Sequence, residues 1–416
     1  MANTLKFGNG QWYGKAGSIL AYNDENNNYK PLPFTFTRAS SATRVNESGL
    51  IESVGSGIPR VDYLNNADGH LLLEPSRTNI LLRSEEFDNA YWEKTNSVIT
   101  NNYTTSPDGN TSADKLVASS SSGQHLIGTS AYVTTLNLTA YVFTVRVKAA
   151  EYSKVGIREA RNAGSYCCYN LSNGTLIEEG TTTSSIKPLV NGWFEISLPF
   201  TTLSLSQSLP QVFVLNDSYT SGNPNSYSYS GDGTSGIYIW GAQLEAGSYA
   251  TSYIPTSGSS VTRVAEATSQ TPPSGVIGQT EGTFFLDFTV NQLDTSAANL
   301  FSISDGSTSN RIYIGSILNN KISAAVIASG AGDLISSSFD VVYGGRYKCA
   351  LSYKLNDIKF YINGSLVGID TSAIIPVCNR IQNNSGAGTS PFYDSINSIK
   401  LYNTALSDSE LIALTS

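Results

Sequence analysis

Apolar and polar residues alternate along most of this chain, and that alternation predicts β-strands rather than helices. In residues 141–148, Tyr141 and Phe143 fall on one face of a strand while Thr144 and Arg146 fall on the other, since successive side chains of a strand point to opposite sides. We expect the first face to be dry and the second to be wet. Comparable runs, separated by Gly, Asn, Ser and Pro clusters typical of antiparallel sandwiches, occur at 166–171, 192–198, 211–215, 237–240, 282–288, 299–304, 311–315, 321–328, 346–353, 358–362 and 397–402.

Two stretches without this alternation set the predicted domain boundaries. Residues 1–85 are rich in Asn and Gly and hold few alternating runs. Residues 268–282 hold Pro272, Pro273 and three glycines, which is the composition of a linker. The sequence therefore predicts an all-β protein composed of an irregular β-containing segment at 1–85, an antiparallel sandwich at 86–268, a linker at 269–280 and a second antiparallel sandwich at 281–416.

Two short motifs add local detail to this division. Residues 259–264 repeat residues 40–45 at every position except Val261, which replaces Ala42. Because the two copies flank the first predicted sandwich, we expect them to be equivalent short strands or clamps. Near the C-terminal end, Ser407 and Glu410 have the spacing of a capping box, which predicts a short final helix.

Composition narrows the range of partners. The formal net charge is −8 and only 14% of the residues are charged, so the basic stripe of a nucleic-acid-binding surface has no support. Sandwiches that present hydroxyls and amides instead of ions suit sugars. No apolar run reaches the ~18 residues of a membrane-spanning helix, and residues 1–20 lack a secretory signal pattern. We expect synthesis in the cytoplasm without a signal peptide, and no membrane insertion.

The residues that carry most enzymatic chemistry form no recognisable arrangement. Glycosidases need two carboxylates across the cleaved bond, but the sequence has no Glu-x-Asp-x-Glu run that would aim acids to one side of a strand. His70 and His125 are the only histidines, and neither lies in a motif for a metal or a Ser-His-Asp site. A non-enzyme without a required cofactor is expected. The cysteines are too few for a disulfide scaffold, and free thiols are expected at Cys167, Cys168, Cys349 and Cys378.

Tyrosines with hydroxyl and amide neighbours are the candidate binding residues. Residues 218–235 form a long loop rich in Tyr, Ser, Gly and Asn, a composition that favours binding because Tyr offers rigid amphipathic area. The alternative is a flexible surface loop. Trp193 and Trp240 lie inside alternating strands and are expected in the core. The nominated glycan-binding residues are Tyr166, Tyr219, Tyr227 and Tyr229 in the first sandwich, and Tyr313, Tyr361 and Asn363 in the second.

A calcium ion is a more plausible metal than one held by histidines, because hard oxygen ligands are plentiful. Asp217 and Asp232 stand at the two ends of the tyrosine-rich loop. Asp305, with Ser304 and Asn310, forms a second oxygen-rich group. Either group, Asp217 with Asp232 or Asp305 with its two neighbours, is a candidate site for a structural calcium.

Four segments, taken in order, resemble a recurring element of tailed-phage virion proteins. They are TRASSATRV at 37–45, LEPSRTN at 73–79, FDNAYW at 87–92 and WGAQLEAG at 240–247. In those proteins the element belongs to a carbohydrate-binding-type jelly roll on a head or tail fibre. Residues 281–416 resemble a concanavalin A-like or laminin-G-like domain through GTFF near the start, FYING at 360–364 and YNTALS at 402–407.

This resemblance implies a virion structural protein that displays two lectin-like sandwiches to host or environmental glycans. Residues 1–85 would attach it to the particle or to sister chains, which would complete their poor core. Its implied partners are other virion proteins, glycans and copies of itself, most simply as a trimer on the virion surface. Two alternatives stay open, a head or tail decoration protein that binds only virion partners, and a capsule depolymerase.

Overall fold

The computed structural model describes residues 4–8, 12–15, 18–23, 28–291, 299–317, 321–337 and 340–416. The chain is almost entirely β-strand, which confirms the predicted fold class. It divides into two compact units. Unit 1 contains the described residues within 1–47, 54–76 and 264–416, and unit 2 contains 48–53 and 77–263.

The N-terminal strands are β1 (Thr4–Gly8), β2 (Tyr13–Lys15), β3 (Ser18–Asn23), β4 (Asn28–Thr37), β5 (Ala42–Val45), β6 (Ile51–Val54), β7 (Arg60–Asp62) and β8 (His70–Leu72). Those of unit 2 are β9 (Arg77–Asn79), β10 (Trp92–Thr95), β11 (Ser97–Thr104), β12 (Ala113–Ala118), β13 (Ser122–Gly123), β14 (Leu126–Thr129), β15 (Val133–Thr134), β16 (Ala140–Ala149), β17 (Lys154–Glu159), β18 (Tyr166–Asn170), β19 (Thr175–Glu179), β20 (Ser185–Pro188), β21 (Phe194–Thr201), β22 (Gln207–Ser208), β23 (Pro210–Leu215), β24 (Tyr229–Ser230), β25 (Gly236–Ala246) and β26 (Val261–Arg263). The C-terminal elements are β27 (Ala267–Gln270), β28 (Glu281–Thr289), β29 (Asn299–Ser304), β30 (Arg311–Ile317), β31 (Lys321–Ile327), β32 (Leu334–Ser336), β33 (Arg346–Lys354), β34 (Asp357–Ile362), β35 (Ser365–Asp370), β36 (Arg380–Gln382), β37 (Ser395–Tyr402) and helix α1 (Asp408–Thr415).

Unit 1 is one continuous run of antiparallel strands folded around a large hydrophobic core. Hydrogen-bonded neighbours follow the order β35-β34-β33-β28-β37-β1-β3-β4-β27-β36-β29-β30-β31-β32. Phe34 and Phe36 of β4, together with Leu71 and Leu73, are at most 2% exposed and share a core with Phe284. N-terminal and C-terminal residues therefore complete one hydrophobic core within the same chain.

The domain boundaries of the structure differ from the predicted ones. The segment 1–85 was expected to stand apart with a poor core, but β1 pairs with β37 and β4 pairs with β27. Residues 267–270 of β27 also pair with β36, so part of the expected linker is strand. Pairing between residues more than 200 positions apart leaves no trace in local alternation, which is why the sequence pattern missed it.

Unit 2 is a sandwich of two six-stranded sheets. Sheet A has the order β10-β14-β23-β17-β18-β19, and sheet B has the order β11-β12-β25-β16-β21-β20. Side chains from both sheets, among them Phe143 and Ile239 of sheet B and Ile157 and Val212 of sheet A, are fully buried between them. This is the antiparallel sandwich that the alternating runs predicted for this part of the chain.

Two short motifs have the local structures that the sequence predicts for them. The repeated sequences at 40–45 and 259–264 each contain a short strand, β5 and β26. Helix α1 follows Ser407, whose backbone N–H donates to the Glu410 carboxylate at 2.8 Å as the capping box requires. Within the described ranges, no helix has the length and apolar character to cross a bilayer. Trp193 and Trp240 are both 1% exposed, and all four cysteines are buried free thiols.

Candidate functional site

The tyrosine-rich loop of unit 2 is fastened along strand β17. Lys154 Nζ donates to the backbone carbonyls of Asp217 at 2.8 Å and Tyr219 at 2.6 Å. Arg158 Nη1 donates to Asn225 Oδ1 at 2.7 Å. A Cβ on Gly156 would lie 2.8 Å from the Pro224 ring, so only glycine allows the loop to approach the strand this closely. These contacts fix the loop at its start and at its centre.

Four tyrosine rings form a continuous cluster in and beside this loop. Tyr219 and Tyr227 have ring centroids 5.1 Å apart, Tyr227 and Tyr229 are 5.5 Å apart, and Tyr229 and Tyr152 are 6.2 Å apart. Tyr219 is fully buried beneath the others and its hydroxyl donates to the Gly222 carbonyl. The remaining three, Tyr152, Tyr227 and Tyr229, are half-buried, and we call them the tyrosine surface.

Internal hydrogen bonds determine what the tyrosine surface can offer. The Tyr227 hydroxyl donates to Asn216 Oδ1 at 2.5 Å, and the Tyr229 hydroxyl donates to the Val214 carbonyl at 3.1 Å. Burial raises the pKa of both phenols above their ordinary value, so both remain neutral donors. Because these hydroxyls are already bound, Tyr227 and Tyr229 can offer mainly ring faces to a ligand.

The structure brings together only some of the nominated tyrosines. Tyr166 is half-buried on β18, directly opposite Arg158 of β17, and therefore lies on the sheet that carries the loop. In unit 1, Tyr313 is 6% exposed among Leu300 and Ala325, and Tyr361 is 4% exposed in a core that includes Leu411 of α1. Neither ring of unit 1 is an exposed platform.

Asn363 is exposed, but it serves a turn. Its backbone has a φ of 47°, in the left-handed region that Asn tolerates, and its side-chain oxygen accepts the Lys348 N–H at 2.8 Å. Asn363 follows Tyr361 by two residues, yet the buried tyrosine leaves it without an aromatic partner at the surface. The nominated residues of unit 1 therefore do not form an exposed aromatic platform, and in unit 2 only the nominated tyrosines of the loop lie ring to ring.

A second exposed aromatic pair was not nominated from the sequence. Tyr103 is 51% exposed and stacks on Tyr238 with ring centroids 5.8 Å apart. Lys115 Nζ lies 5.2 Å from the Tyr103 ring centroid and donates to Glu151 Oε1 at 2.7 Å. Tyr238 alternates with the buried Ile237 and Ile239, so its outward direction was visible in the pattern, but its partner on β11 was not.

Asp114 holds the backbone that presents Tyr103. Its carboxylate accepts the N–H of Asn102 at 2.8 Å and that of Phe87 at 3.2 Å, and Asn102 adopts a φ of 50°. Asp114 is 2% exposed, and burial raises its pKa to about 6 despite these two donors. The aspartate is therefore a proton-binding group inside unit 2.

We expect the stability of unit 2 to fall as pH rises from about 4 to about 6. The folded-state pKa of Asp114 lies above its unfolded value of 3.8, so the folded state binds more protons in this window. Lowering the pH from 7 to 4 should therefore raise the unfolding free energy of wild type, relative to that of Asp114→Asn, by about 1–3 kcal/mol. Urea unfolding at several pH values measures this difference, and parallel curves would contradict the assignment.

The segments that carry the phage resemblance have structural roles in this chain. In unit 1, Arg38, Arg60, Glu74 and Glu266 form a buried group that we call the charge cluster. Arg38 Nη1 lies 2.7 Å from Glu266 Oε1, Arg60 Nη1 lies 2.8 Å from Glu74 Oε2, and Arg60 Nε donates to Glu266 Oε1 at 2.8 Å. The side chains of Arg38, Arg60 and Glu266 are fully buried. The cluster ties three distant parts of the chain together within unit 1.

The neighbouring glutamates keep Arg60 of the charge cluster protonated. Burial by itself would lower the pKa of Arg60, but the nearby charges of Glu266 and Glu74 raise it well above the ordinary value. The backbone takes part as well, because the Glu74 N–H donates to Glu266 Oε2 at 2.9 Å. Because each carboxylate is paired with an arginine, we infer that the cluster stabilises the fold of unit 1 rather than acting as a catalytic acid–base pair.

In unit 2, polar side chains of the WGAQLEAG segment bind residues 251–254. Glu245 is fully buried and accepts the Thr251 N–H at 2.8 Å, the Thr251 hydroxyl at 2.6 Å and Gln243 Nε2 at 2.8 Å. Gln243 Oε1 accepts the Ile254 N–H at 2.7 Å. Alternate side chains on the outer face of β25 thus hold residues 251–254 against sheet B.

That covering segment explains why Arg146 is buried. Its guanidinium lies 4.7 Å from the ring centroid of Tyr253, pairs with Glu195 and donates to the Gly241 carbonyl at 2.6 Å. Thr144 and Arg146 are both 0% exposed, so the face expected to be wet is covered. The prediction of a solvated second face on 141–148 is wrong for this reason.

The three nominated calcium ligands each satisfy local donors. Asp217 Oδ1 accepts the Ser153 hydroxyl at 2.7 Å, Asp232 Oδ1 accepts the Thr234 N–H at 2.8 Å, and Asp305 Oδ2 accepts Asn310 Nδ2 at 2.9 Å. In the part of the chain that the structure describes, no three His, Cys, Asp or Glu side chains gather as a metal site would require. A structural calcium stays a prediction.

The solved structures that are similar to this chain match only about a third of it. No family model and no curated protein matches the chain. Among solved structures it is similar to the CBM40 of Ruminococcus gnavus IT-sialidase bound to alpha2,3 sialyllactose, with 18% identity and a TM-score of 0.30 over 33% of this chain and 84% of that one. It is also similar to domain 4 of AbnA, a GH43 extracellular arabinanase from Geobacillus stearothermophilus, in complex with arabinotriose, with 17% identity and a TM-score of 0.31 over 36% and 73% of the two chains.

A third similar structure is the carbohydrate-binding module CBM66 from Bacillus subtilis, with 11% identity and a TM-score of 0.24 over 33% of this chain and 81% of that one. At TM-scores this low the likenesses say nothing about the ligand of this chain. Its function has to be inferred from its own side chains.

Proposed function

We propose that this chain is a non-enzymatic structural protein of a tailed-phage virion that holds glycans on the tyrosine surface of unit 2. The observation that carries the glycan part is the fixed loop, which presents half-buried rings whose hydroxyls are bound inward. Support for the virion part comes from the sequence, where the four resembling segments occur in their expected order. The protein would lie at the virion surface with other virion proteins and copies of itself as partners.

The chemistry of the tyrosine surface matches a neutral sugar ring. The C–H face of a pyranose is apolar and packs on a phenol ring, while amides and hydroxyls beside it can pair with sugar hydroxyls. Ser226 and Ser228, which are both exposed, supply hydroxyls in the same loop. Because the loop is already fastened to β17, little conformational entropy is lost when a ligand binds. Binding should accordingly be insensitive to salt, since it uses no ion pair.

We expect Tyr227→Ala to weaken glycan binding at least about tenfold, or roughly 1.4 kcal/mol, because a stacked ring contributes about 0.5–1.5 kcal/mol beyond its buried area. A glycan array with the whole chain identifies a ligand, and titration calorimetry measures its affinity. Tyr227→Phe should bind nearly as well as wild type, since it keeps the ring and loses only the hydroxyl bond to Asn216.

The matched control is Tyr343→Ala, which removes a tyrosine that is 45% exposed in unit 1 and should leave binding unchanged. Equal affinity of Tyr227→Ala and wild type, with both variants folded by circular dichroism, would contradict the proposed site. An array without any hit would favour the decoration-protein alternative. Release of reducing ends from capsule would favour the depolymerase.

A further inference from the structure

Two loops of unit 2 carry the same sequence pattern and expose the same residue type. Residues 134–139 read TTLNLT and residues 201–206 read TTLSLS. In the first loop Leu136 is 65% exposed and Leu138 is 74% exposed, and in the second Leu203 and Leu205 are 46% and 52% exposed. Exposed apolar side chains that gather on one part of a surface mark interaction sites. We call these four side chains the leucine surface.

The two loops are bound to each other, so the leucine surface is a single structure. The Thr202 hydroxyl donates to the Leu136 carbonyl at 2.5 Å and accepts the Thr139 N–H at 3.0 Å. The Thr135 N–H donates to the Ser206 carbonyl at 3.0 Å. Strands β15 and β22 continue this contact, with Val133 opposite Ser208. The leucines are therefore held outward by a hydrogen-bonded frame.

The backbone of the frame is strained where it presents the leucines. Leu138 and Ser206 both adopt a φ of 49°, a left-handed conformation that L-residues other than Asn, Asp and Gly rarely adopt. Leu138 is at the same time the most exposed of the four leucines, so this strain gains no burial within its own chain. Strain of this sort persists chiefly where a functional contact needs the geometry.

We infer that the leucine surface binds a second copy of the same chain. Residues 130–139 and 201–209 contain no charged residue, whereas the chain carries a formal net charge of −8. Two copies repel one another over most of their surfaces, and that repulsion is weakest where an uncharged patch meets another. In a two-fold contact each patch faces itself, and two equivalent leucine loops are self-complementary in that arrangement.

The lack of charged residues in the two loops favours a second copy of the chain over a membrane or a charged protein partner. Arg161 lies beside the loops, with its guanidinium 4.9 Å from the ring centroid of Tyr132. An anionic membrane would be attracted by basic residues, and neither loop supplies one. A protein partner selected by charge would require charged residues in the loops, and residues 130–139 and 201–209 contain none. The inference concerns a different face from the tyrosine surface and does not depend on glycan binding.

Sedimentation velocity of the full chain over a range of concentrations tests the inference. Wild type should associate reversibly with a Kd below about 10 μM, and the combined variant Leu138→Asn, Leu205→Ser should raise that Kd at least about tenfold. Asn is the better residue for a left-handed backbone, so Leu138→Asn should not lower the unfolding midpoint. The matched control is Leu334→Ser with Leu366→Ser, two leucines of unit 1 that are 50% and 51% exposed.

Persistence of wild-type association at high salt, with the control variant unchanged, would support the leucine surface. A wild-type chain that sediments as a monomer at every concentration would overturn the inference. Association that survives in the combined variant would also overturn it, as would equal loss in the control. Glycan affinity per chain should be the same in the combined variant as in wild type, so failure here leaves the Tyr227 result separate.

Discussion

Replacing Glu266 by Gln should destabilise unit 1 by about 3–5 kcal/mol. The Glu266 carboxylate pairs with both Arg38 and Arg60 in the fully buried charge cluster. Gln keeps the shape but not the charge, so Arg38 and Arg60 would both lose the Glu266 carboxylate, while Arg60 would retain its pair with Glu74. Leaving a buried charge without its partner costs far more than losing an ion pair in water.

Hydrogen exchange of unit 1 peptides under mild denaturant measures this effect. The matched control is Glu281→Gln in the same unit, because Glu281 lies 3.5 Å from Lys354 and that pair is 35% and 58% exposed. We expect the control to change stability by less than about 1 kcal/mol. If the two variants lost protection equally, the charge cluster would not stabilise unit 1 in the way that its geometry indicates.

Glu245→Ala should destabilise unit 2 by about 2–4 kcal/mol. The variant removes the acceptor of the Thr251 N–H, the Thr251 hydroxyl and Gln243 Nε2, and all three donors lie in buried surroundings. Residues 251–254 would lose the Glu245 bonds to Thr251 and keep the Gln243 bond to Ile254. The segment that places Tyr253 over Arg146 would therefore be held less firmly. The outer face of sheet B would then be partly open to water.

Tryptophan fluorescence follows this unfolding, since Trp92, Trp193 and Trp240 all belong to unit 2. Trp240 is the closest reporter, with a ring centroid 4.7 Å from that of Tyr253. Glu93→Ala on β10 is the control, because Glu93 is exposed and such changes usually stay within about 0.5 kcal/mol. A Glu245 variant as stable as the control would mean that Thr251 and Gln243 find other acceptors.

Local patterns predicted those features whose causes are local. The alternation in 141–148 predicted a strand, and β16 is one, because the period of side chains along a strand needs no distant partner. The capping box of Ser407 and Glu410 predicted helix α1 for the same reason. Both depend on residues within one element, so a single stretch of sequence carries the whole signal.

Features that depend on residues far apart in the sequence were either not predicted or predicted wrongly. Arg146 was expected on a wet face, and only the return of residues 251–254 to the sheet covers it. The N-terminal strands were expected to stand apart because their partners in β27 and β37 lie far along the chain. Tyr313 and Tyr361 were nominated as a platform although neighbouring strands and α1 bury them.

The candidate site was predictable in part. Tyr227 and Tyr229 could be nominated because the composition of 218–235 is that of a binding loop. The stack of Tyr103 on Tyr238 could not, since it depends on a turn at Asn102 that Asp114 stabilises from another strand. Composition therefore identified the loop, while pairing between strands determined which other rings reach the surface.

The split of unit 1 across the chain has a consequence for synthesis. Residues 4–76 leave the ribosome before unit 2 does, but β1 and β4 find their neighbours β37 and β27 only after the whole of unit 2 has been made. At about 5–20 residues per second, translating residues 77–402 takes on the order of 30 s. During that time the apolar side chains of Phe34 and Phe36 lack their final core, which makes the early segment a natural client for chaperones.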